Sequence, residues 1–193
     1  MKIEELDEEF PWTPSVLRSE GVHVYEIIRD LLDTLGMTPK QGDDDDDGQR
    51  RMQYEKGYLW EEILSAGFGN KSPVRPGEME LDGIIGSPDG IGFEDTEDEN
   101  GFKRTRSVVE EYKCTSKSSA KTPDEVTPWM MQVKAYCKIC GANVVVFRVL
   151  YINGNYRDIR YPVYRPYRLE FSQREIDENW EMLINHAKSR GWL

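Results

Sequence analysis

The stretch that decides the fold is VVEEYKC, residues 108–114. Its β-branched start is typical of a strand, yet two glutamates and a lysine follow where a strand usually places apolar side chains. Successive strand residues face opposite sides of a sheet, so Glu111 and Lys113 point one way. Glu110 and Tyr112 point the other way. One face of the predicted strand therefore carries an acid beside a base.

The composition is that of a globular protein with a heavily charged surface. The chain has 193 residues, of which 38% are hydrophobic, 11% aromatic and 32% charged. This length suits one α/β domain and is short for two, so we expect a single domain over residues 1–193. No apolar run approaches the about 20 residues of a membrane span, and the first ten residues are acidic, unlike a secretory signal. We expect a soluble protein of the cytoplasm, in a bacterium or a bacterial host cell, with no membrane partner.

The net charge of -11 at pH 7 argues at first against a nucleic-acid partner, because phosphate binding normally uses lysine and arginine. Much of the acid, however, lies in two glycine-flanked tracts, QGDDDDDGQ (41–49) and FEDTEDENG (93–101). We expect a flexible loop at the first and a hairpin tip at the second. A locally positive cleft can therefore exist on this acidic protein. The basic stretches are Lys103, Arg104 and Arg106; Lys113, Lys117 and Lys121; and Arg157, Arg160, Arg165 and Arg168.

Apolar side chains at helical spacing predict four helices. They span residues 15–35, about 49–66, 127–140 and the segment after Ser172. The buried stripe of the first is predicted to hold Val22, Tyr25, Ile28 and Leu32, and that of the second Leu59, Trp60, Ile63 and Leu64. Thr127 is the predicted N-cap of the third helix, which Gly141 ends. Ser172 and Glu175 form a capping box for the last helix.

Strands are predicted in the middle and the later part of the chain. PVRPGEMELDGIIGSPDGIGF (73–93) reads as strand, turn and strand, and VVEEYKC follows, so we expect a β-meander. NVVVFRVLYING (143–154) is the most apolar strand and is predicted to be central. RYPVYRPYRLEF (160–171) contains two prolines, which confine it to an edge. The order of elements predicts an α/β fold with a mixed central sheet flanked by helices.

Two carboxylates and a lysine form the candidate chemical site. SPDG (87–90) places Asp89 at a turn about one hairpin before Glu111. In an antiparallel meander the two carboxylates can converge, and magnesium or manganese prefers such oxygen ligands. Lys113 could then contact the attacking water or a scissile phosphate, which suits phosphodiester hydrolysis. Taken alone, however, Glu111 and Lys113 are more simply explained as an ion pair on a solvated strand face.

Four short motifs, taken in order, resemble the PD-(D/E)XK nucleases, and within them the RecB-like and λ-exonuclease-like (YqaJ-type) branch of phage nucleases. They are GYLWE (57–61), LDGIIGSPDG (81–90), EYK (111–113) and QVKAY (132–136). Glu-x-Lys alone arises often by chance, so the resemblance rests on the ordered set. It implies a restriction-endonuclease-like fold, in which helices flank a mixed central β-sheet.

The resemblance also implies a metal site. Asp89 and Glu111 would bind Mg2+, with Mn2+ as a substitute, and the backbone carbonyl of Tyr112 is a further candidate ligand. Lys113 would be the catalytic lysine. Asp82 precedes a glycine in LDG and could replace Asp89 as the main metal ligand, although the SPDG match favours Asp89.

Helical residues complete the site that the resemblance implies. Glu61 matches the helical acidic residue, which acts through the metal or its waters, although the adjacent Glu62 also flanks the apolar stripe and either could be surface. Gln132 and Tyr136 match the signature that supports the site and contacts nucleic acid. In ordinary terms Gln132 could equally be a core amide and Tyr136 a core aromatic.

The function implied by the resemblance is a magnesium-dependent DNA nuclease. In-line attack by water would leave 5′-phosphate and 3′-hydroxyl ends, and the nearest analogy is an exonuclease of phage-type recombination or DNA processing. DNA is the expected partner, while a homo-oligomer and a recombination partner protein stay open. A structure- or site-specific DNA endonuclease, which would cut closed circles, is one alternative. A non-catalytic nucleic-acid-binding module of the same fold is the other.

Cysteine and histidine are given no role. Some RecB-like nucleases carry a four-cysteine cluster, but this chain has only Cys114, Cys137 and Cys140. We therefore expect buried thiols and no iron-sulfur cluster. His23 and His186 lie far from the motifs along the sequence, on predicted helices.

Overall fold

Helices flank two small mixed sheets in a computed structural model that describes residues 18–37, 47–68, 74–97 and 101–193. The elements are β1 (Val22–His23), α1 (Val24–Thr34), α2 (Asp47–Phe68), β2 (Met79–Leu81), β3 (Ile84–Gly86), β4 (Gly90–Glu97), β5 (Lys103–Thr115), α3 (Thr127–Cys140), β6 (Val144–Tyr151), β7 (Val163–Glu170) and α4 (Gln173–Ser189). The predicted α/β class, with mixed sheets and flanking helices, is confirmed. Among the described residues, no helix has the length and apolar composition needed to cross a membrane.

The strands are divided between two sheets rather than joined in one. The smaller sheet has the order β1-β3-β2, and the larger has the order β4-β5-β6-β7. The break falls at Ser87–Asp89, between β3 and β4. Pro88 has no backbone N–H and cannot donate to a ladder, so this segment separates the sheets. The predicted Asp89 turn lies in that break.

Strand β5 holds the centre of the larger sheet together with β6. It pairs antiparallel with β4 and parallel with β6, and α3 supplies the crossover that a parallel pair requires. β6 lies between β5 and β7, so the predicted central strand is confirmed. β7 forms an edge and contains Pro166, as the sequence predicts.

Helix α1 is shorter than predicted. Its first residue is Val24, because residues 22–23 form β1 and pair in parallel with β3. Gly21 has a φ of +146°, a conformation that L side chains rarely adopt, and it turns the chain into this extended segment. The buried face is formed by Val24, Ile27, Ile28 and Leu31. The predicted stripe through Val22 and Tyr25 is therefore wrong in phase. Residues 15–17 lie outside the described part of the chain.

Helix α2 is longer than predicted, since it begins at Asp47 and ends at Phe68. The last residues of the acidic tract are thus helical, while residues 41–46 lie outside the described ranges. Trp60 and Leu64 are buried and form a cluster with Tyr112 of β5. Leu59 and Ile63 are 57% and 61% exposed. Their predicted burial is wrong because the helix packs on the sheet along a narrower face.

The ends of α3 and α4 follow the sequence signals with one correction. Val126, not Thr127, is the N-cap of α3, and Gly141 ends the helix with a φ of +62°. Ser172 and Glu175 form the predicted capping box of α4. The second acidic tract lies on a hairpin, in which Glu97 of β4 pairs with Lys103 of β5. Residues 98–100 at its tip lie outside the described ranges.

Candidate active site

Nearly all predicted site residues line one cavity of about 250 Å³. They are Glu61, Asp89, Glu111, Tyr112, Lys113, Gln132 and Tyr136. Strand β5 supplies Glu111 and Lys113, and helix α2 supplies Glu61. Helix α3 supplies Gln132 and Tyr136, and Asp89 comes from the break between β3 and β4. Side chains from four separate segments thus meet at the end of β4.

The strand register brings Asp89 to Glu111. Gly90, the first residue of β4, is paired with Glu110, so the residue before it is level with Glu111. Asp89 Oδ2 accepts a hydrogen bond from the backbone N–H of Tyr112 at 2.6 Å. The carboxylate thereby satisfies a donor beyond the end of the β4 ladder. This bond fixes the aspartate beside the glutamate.

Glu111 is a buried carboxylate with one paired and one unpaired oxygen. Its residue is 2% exposed, and its Oε1 accepts from Lys113 Nζ at 2.5 Å. Within the described residues, Glu111 Oε2 is buried and has no hydrogen-bond partner. Leaving a buried charged oxygen unsatisfied is costly. Glu111 Oε2 is therefore available to bind a ligand, such as a cation, that enters the cavity.

Gln132 and Tyr136 form a chain of hydrogen bonds that holds the lysine. Lys113 Nζ donates to Gln132 Oε1 at 3.1 Å. Gln132 Nε2 in turn donates to the Tyr136 hydroxyl at 2.8 Å. A lysine can only donate, so its contact fixes which end of the amide faces it. The spacing of four residues on α3 places the two side chains one turn apart.

Several carboxyl groups lie close together in the cavity, and their pKa values are raised. Burial raises the pKa of Asp89 well above its usual range, and the charge of Glu111 raises it further. Burial also raises the pKa of Glu111, against the lowering effect of Lys113. The pKa of Glu61 is raised by burial as well, while Arg75 opposes the shift. Three carboxylates thus share a poorly solvated space with one lysine.

The donor set fits a hard divalent cation such as Mg2+. Asp89 and Glu111 present oxygen atoms to one cavity, and the buried Glu111 Oε2 lacks a partner among the described residues. No three His, Cys, Asp or Glu side chains of the described ranges form a complete metal site. The Tyr112 carbonyl, water or phosphate oxygens would supply the other ligands. This division is usual for Mg2+, which binds one or two carboxylates and keeps several other oxygen ligands.

Asp82 does not join the other predicted site residues. It lies with Gly83 in the two-residue turn between β2 and β3, where both residues have a positive φ. Its Oδ2 accepts from Trp180 Nε1 of α4 at 2.9 Å. In this position Asp82 ties the hairpin to α4. Asp89 is the aspartate that faces Glu111.

The adjacent residues Glu61 and Glu62 point to different sides of helix α2. Glu61 lines the cavity, and Arg75 donates to its backbone oxygen at 3.1 Å. Glu62 is exposed. The geometry therefore favours Glu61 over its neighbour as the helical acid.

Sequence reasoning missed the start of α1. Arg18, His23 and Tyr25 also line the cavity. His23 is 5% exposed, and its Nε2 lies 3.0 Å from the Ser19 carbonyl oxygen. No local pattern signals this placement, because these residues reach the site only through the pairing of β1 with β3. His186 instead contacts Asp30, with Nε2 2.6 Å from Oδ2.

The basic stretches predicted from the sequence differ in what their side chains contact. Arg106 and Arg168 form ion pairs with Glu94 and Glu170 on one face of the larger sheet. Lys113 faces the cavity. Arg106 and Arg168 are therefore paired with carboxylates and are not part of the predicted positive cleft. The three cysteines are free thiols, but only Cys137 is buried as expected, while Cys114 and Cys140 are half-buried.

Comparisons with known proteins return solved structures only. No protein-family model and no curated protein matches the chain. A protein named SSO0001 is 14% identical, over 89% of this chain and 78% of its own, with a TM-score of 0.49. A phage related exonuclease from Haemophilus somnus 129PT is 11% identical, over 85% and 79%, with a TM-score of 0.48. LHK-Exo, an alkaline exonuclease from Laribacter hongkongensis, is 14% identical in its complex with dAMP, over 88% and 87%, with a TM-score of 0.49. At these identities the likeness concerns the fold alone.

Proposed function

We propose that this chain is a magnesium-dependent nuclease that hydrolyses DNA phosphodiester bonds. The observation that carries the proposal is the meeting of Asp89, Glu111 and Lys113 in one cavity. A solvated ion pair, the simpler explanation from sequence, does not fit a glutamate that is 2% exposed. A buried acidic pair with an adjacent lysine matches a site for a cation and a phosphate.

Each side chain has a defined task in this proposal. Asp89 and Glu111 would hold the metal, and the Tyr112 carbonyl is a further candidate ligand. When bound, Mg2+ would lower the pKa of water and offset charge on the scissile phosphate. Lys113 has three N–H donors. Glu111 and Gln132 accept two of them, and the third could donate to the attacking water or to a phosphate oxygen.

The site residues on helices α2 and α3 position other groups and do not themselves take part in bond breaking. Gln132 orients the Lys113 ammonium, and Tyr136 orients the Gln132 amide through its hydroxyl. Glu61 would act from α2 through a water molecule. Arg75 Nη1 lies 3.9 Å from Glu61 Oε2. Such supporting contacts commonly change activity by about 10- to 100-fold.

We favour exonuclease action, in phage-type recombination or DNA processing, because the ordered motifs resemble the RecB-like and λ-exonuclease-like branch. A homo-oligomer and a recombination partner protein belong to the same proposal. The site geometry itself serves exonucleases and endonucleases alike, since both align water, metal and phosphate in the same way.

The decisive experiment offers linear and closed circular DNA, single- and double-stranded, to the protein with Mg2+ or with EDTA. We expect cleavage of linear DNA with Mg2+, no cleavage with EDTA, and intact circles. Glu111→Gln should be inactive, while Glu62→Gln, its matched control on the exposed side of α2, should cut normally. Cleavage of circles would assign an endonuclease. Absence of cleavage at every salt concentration, or full activity of Glu111→Gln, would refute the proposal.

A further inference from the structure

A second cavity, of about 650 Å³, lies beside the catalytic cavity. Tyr25 and Gln132 line both of them, so the two spaces are neighbours. Helix α1, the segment 117–128 and Tyr156 form the remaining walls. The proposed hydrolysis uses nothing on the far side of Gln132. The larger cavity is therefore open to a part of the substrate other than the scissile phosphate.

The interior of this second cavity is apolar and aromatic. Ile28 and Val126 are buried in its wall, at 4% and 7% exposure. Two tyrosines are more open, because Tyr25 is 36% and Tyr156 51% exposed. The Tyr156 hydroxyl donates to the Ser116 carbonyl oxygen, which ties this side chain to the segment after β5. A flat apolar ligand could stack on such a ring.

The rim of the second cavity carries positive charge. Among the described lining residues, Arg29, Lys117 and Lys121 are cationic and Glu125 is the one carboxylate. That carboxylate already accepts from the backbone N–H and the hydroxyl of Thr122, at 2.8 and 3.2 Å. Three cations around an apolar interior suit a ligand that joins an aromatic group to a phosphate.

A nucleotide of a DNA strand has this chemistry. Aromatic stacking and cationic grooves are the means by which proteins hold unpaired strands. The base of a paired nucleotide is already stacked inside the duplex and reaches a cavity only by leaving it. The volume lies within the about 300–1,000 Å³ of ligand pockets. Proximity to the catalytic cavity would put this nucleotide next to the scissile phosphate.

We propose that the second cavity binds the nucleobase of an unpaired nucleotide adjacent to the scissile phosphodiester. The preferred substrate is then a single-stranded DNA or an unpaired strand end, rather than an intact duplex. This inference rests on the proposed nuclease function. Lys117, Lys121 and Arg29 contact the flanking phosphates, and Tyr156 contacts the base.

The first test measures binding with the inactive Glu111→Gln protein. A short single-stranded oligonucleotide is compared with a blunt duplex of two complementary strands that has the same total number of phosphates. We expect the single strand to bind at least about tenfold more tightly. Adding Tyr156→Ala should weaken that binding by about tenfold and leave duplex binding unchanged. Tyr161→Ala, at a tyrosine 65% exposed and absent from the cavity lining, is the matched control and should change neither.

The second test leaves the protein unaltered and so does not depend on whether a variant folds. Single abasic residues are placed at each position of a single-stranded substrate, and the cleavage rate is measured. We expect one or two positions beside the cleaved bond to slow it by about tenfold or more. Cleavage with Mg2+ that is indifferent to abasic position, or equal for duplex and single strand, would overturn the nucleobase site and leave the nuclease standing. Absence of both binding and cleavage would overturn the two together.

Discussion

Lys113 Nζ lies 2.5 Å from Glu111 Oε1, in an ion pair between residues two apart on β5. The side chains are 22% and 2% exposed, so the glutamate depends on the lysine for most of its compensation. The second carboxylate oxygen has no partner in the described part of the chain. Burial of this ion pair costs folding free energy, and the same pair is the proposed centre of the chemistry.

Removing only the lysine should destabilise the protein. Lys113→Ala leaves a buried charge without its partner, so we expect the free energy of unfolding in metal-free buffer to fall by about 3 kcal/mol. Glu111→Gln with Lys113→Ala should recover much of that loss, because the amide is neutral. Denaturant unfolding of the two single variants and the double variant measures the coupling. Additive effects would show that the pair is not a stabilising unit.

Mg2+ should stabilise the folded protein through Glu111. A ligand present at 100 times its dissociation constant adds about 2.7 kcal/mol, so the melting temperature should rise with Mg2+ concentration. Glu111→Gln should lose most of this rise, since it removes the charge of the unpaired oxygen. Thermal unfolding over a Mg2+ titration measures both, with Glu62→Gln as control. An undiminished rise in Glu111→Gln would place the metal elsewhere.

Adjacent glutamates on α2 should differ in activity. Glu61→Gln is expected to lower the cleavage rate by about 10- to 100-fold, because Glu61 lines the cavity. Glu62→Gln should cut at the rate of the unaltered protein, since this side chain is exposed. Single-turnover cleavage assays compare them. Equal loss in both variants would point to an effect on the helix rather than on the site.

Tyr136→Phe should make the position of Lys113 less well defined while keeping its side chain. The change deletes the hydroxyl that accepts from Gln132 Nε2 and keeps the ring in the core. We expect kcat to fall by about tenfold with KM little changed, because the effect is on the orientation of Lys113. Steady-state kinetics separate the two constants, and Tyr161→Phe at an exposed tyrosine serves as control. A rise in KM alone would assign Tyr136 to substrate binding.

Acid should abolish the contribution of Asp30 to stability. Hydrogen bonds from Arg190 and His186 hold its pKa at about 2, below the ordinary value of 3.8. A lowered folded-state pKa stabilises above the unfolded value and loses that effect as the pH falls through about 2. Asp30→Asn should therefore lower the melting temperature at pH 7, by a difference that shrinks from pH 4 toward pH 2. Glu181→Gln, at an exposed glutamate of α4, is the control, and a constant difference across this range would contradict the linkage.

Local periodicity accounts for the parts of the site that were predictable. Alternation along β5 puts Glu111 and Lys113 on one face whatever the rest of the chain does. Helical spacing likewise joins Gln132 to Tyr136. The capping box at Ser172 is a local signal of the same kind. These features need only neighbours in sequence.

Other parts were not predictable because they depend on contacts between distant segments. Tyr25 reads as part of a buried stripe but borders both cavities, since β1 delays the start of α1. Leu59 and Ile63 follow the helical pattern and are still exposed, because packing on the sheet uses a narrower face. A hydrophobic pattern states which residues could be buried, while the shape of the neighbouring element decides which are.

By itself, the sequence determined the charged strand, the turn that carries Asp89, and the helix that presents Gln132 and Tyr136. Each follows from backbone geometry repeated over a few residues. The tertiary structure decided that Glu61 and not Glu62 joins them, that Asp82 does not, and that a second cavity adjoins the first. Those outcomes depend on strand register and helix packing, which are fixed by long-range contacts that no local stretch contains.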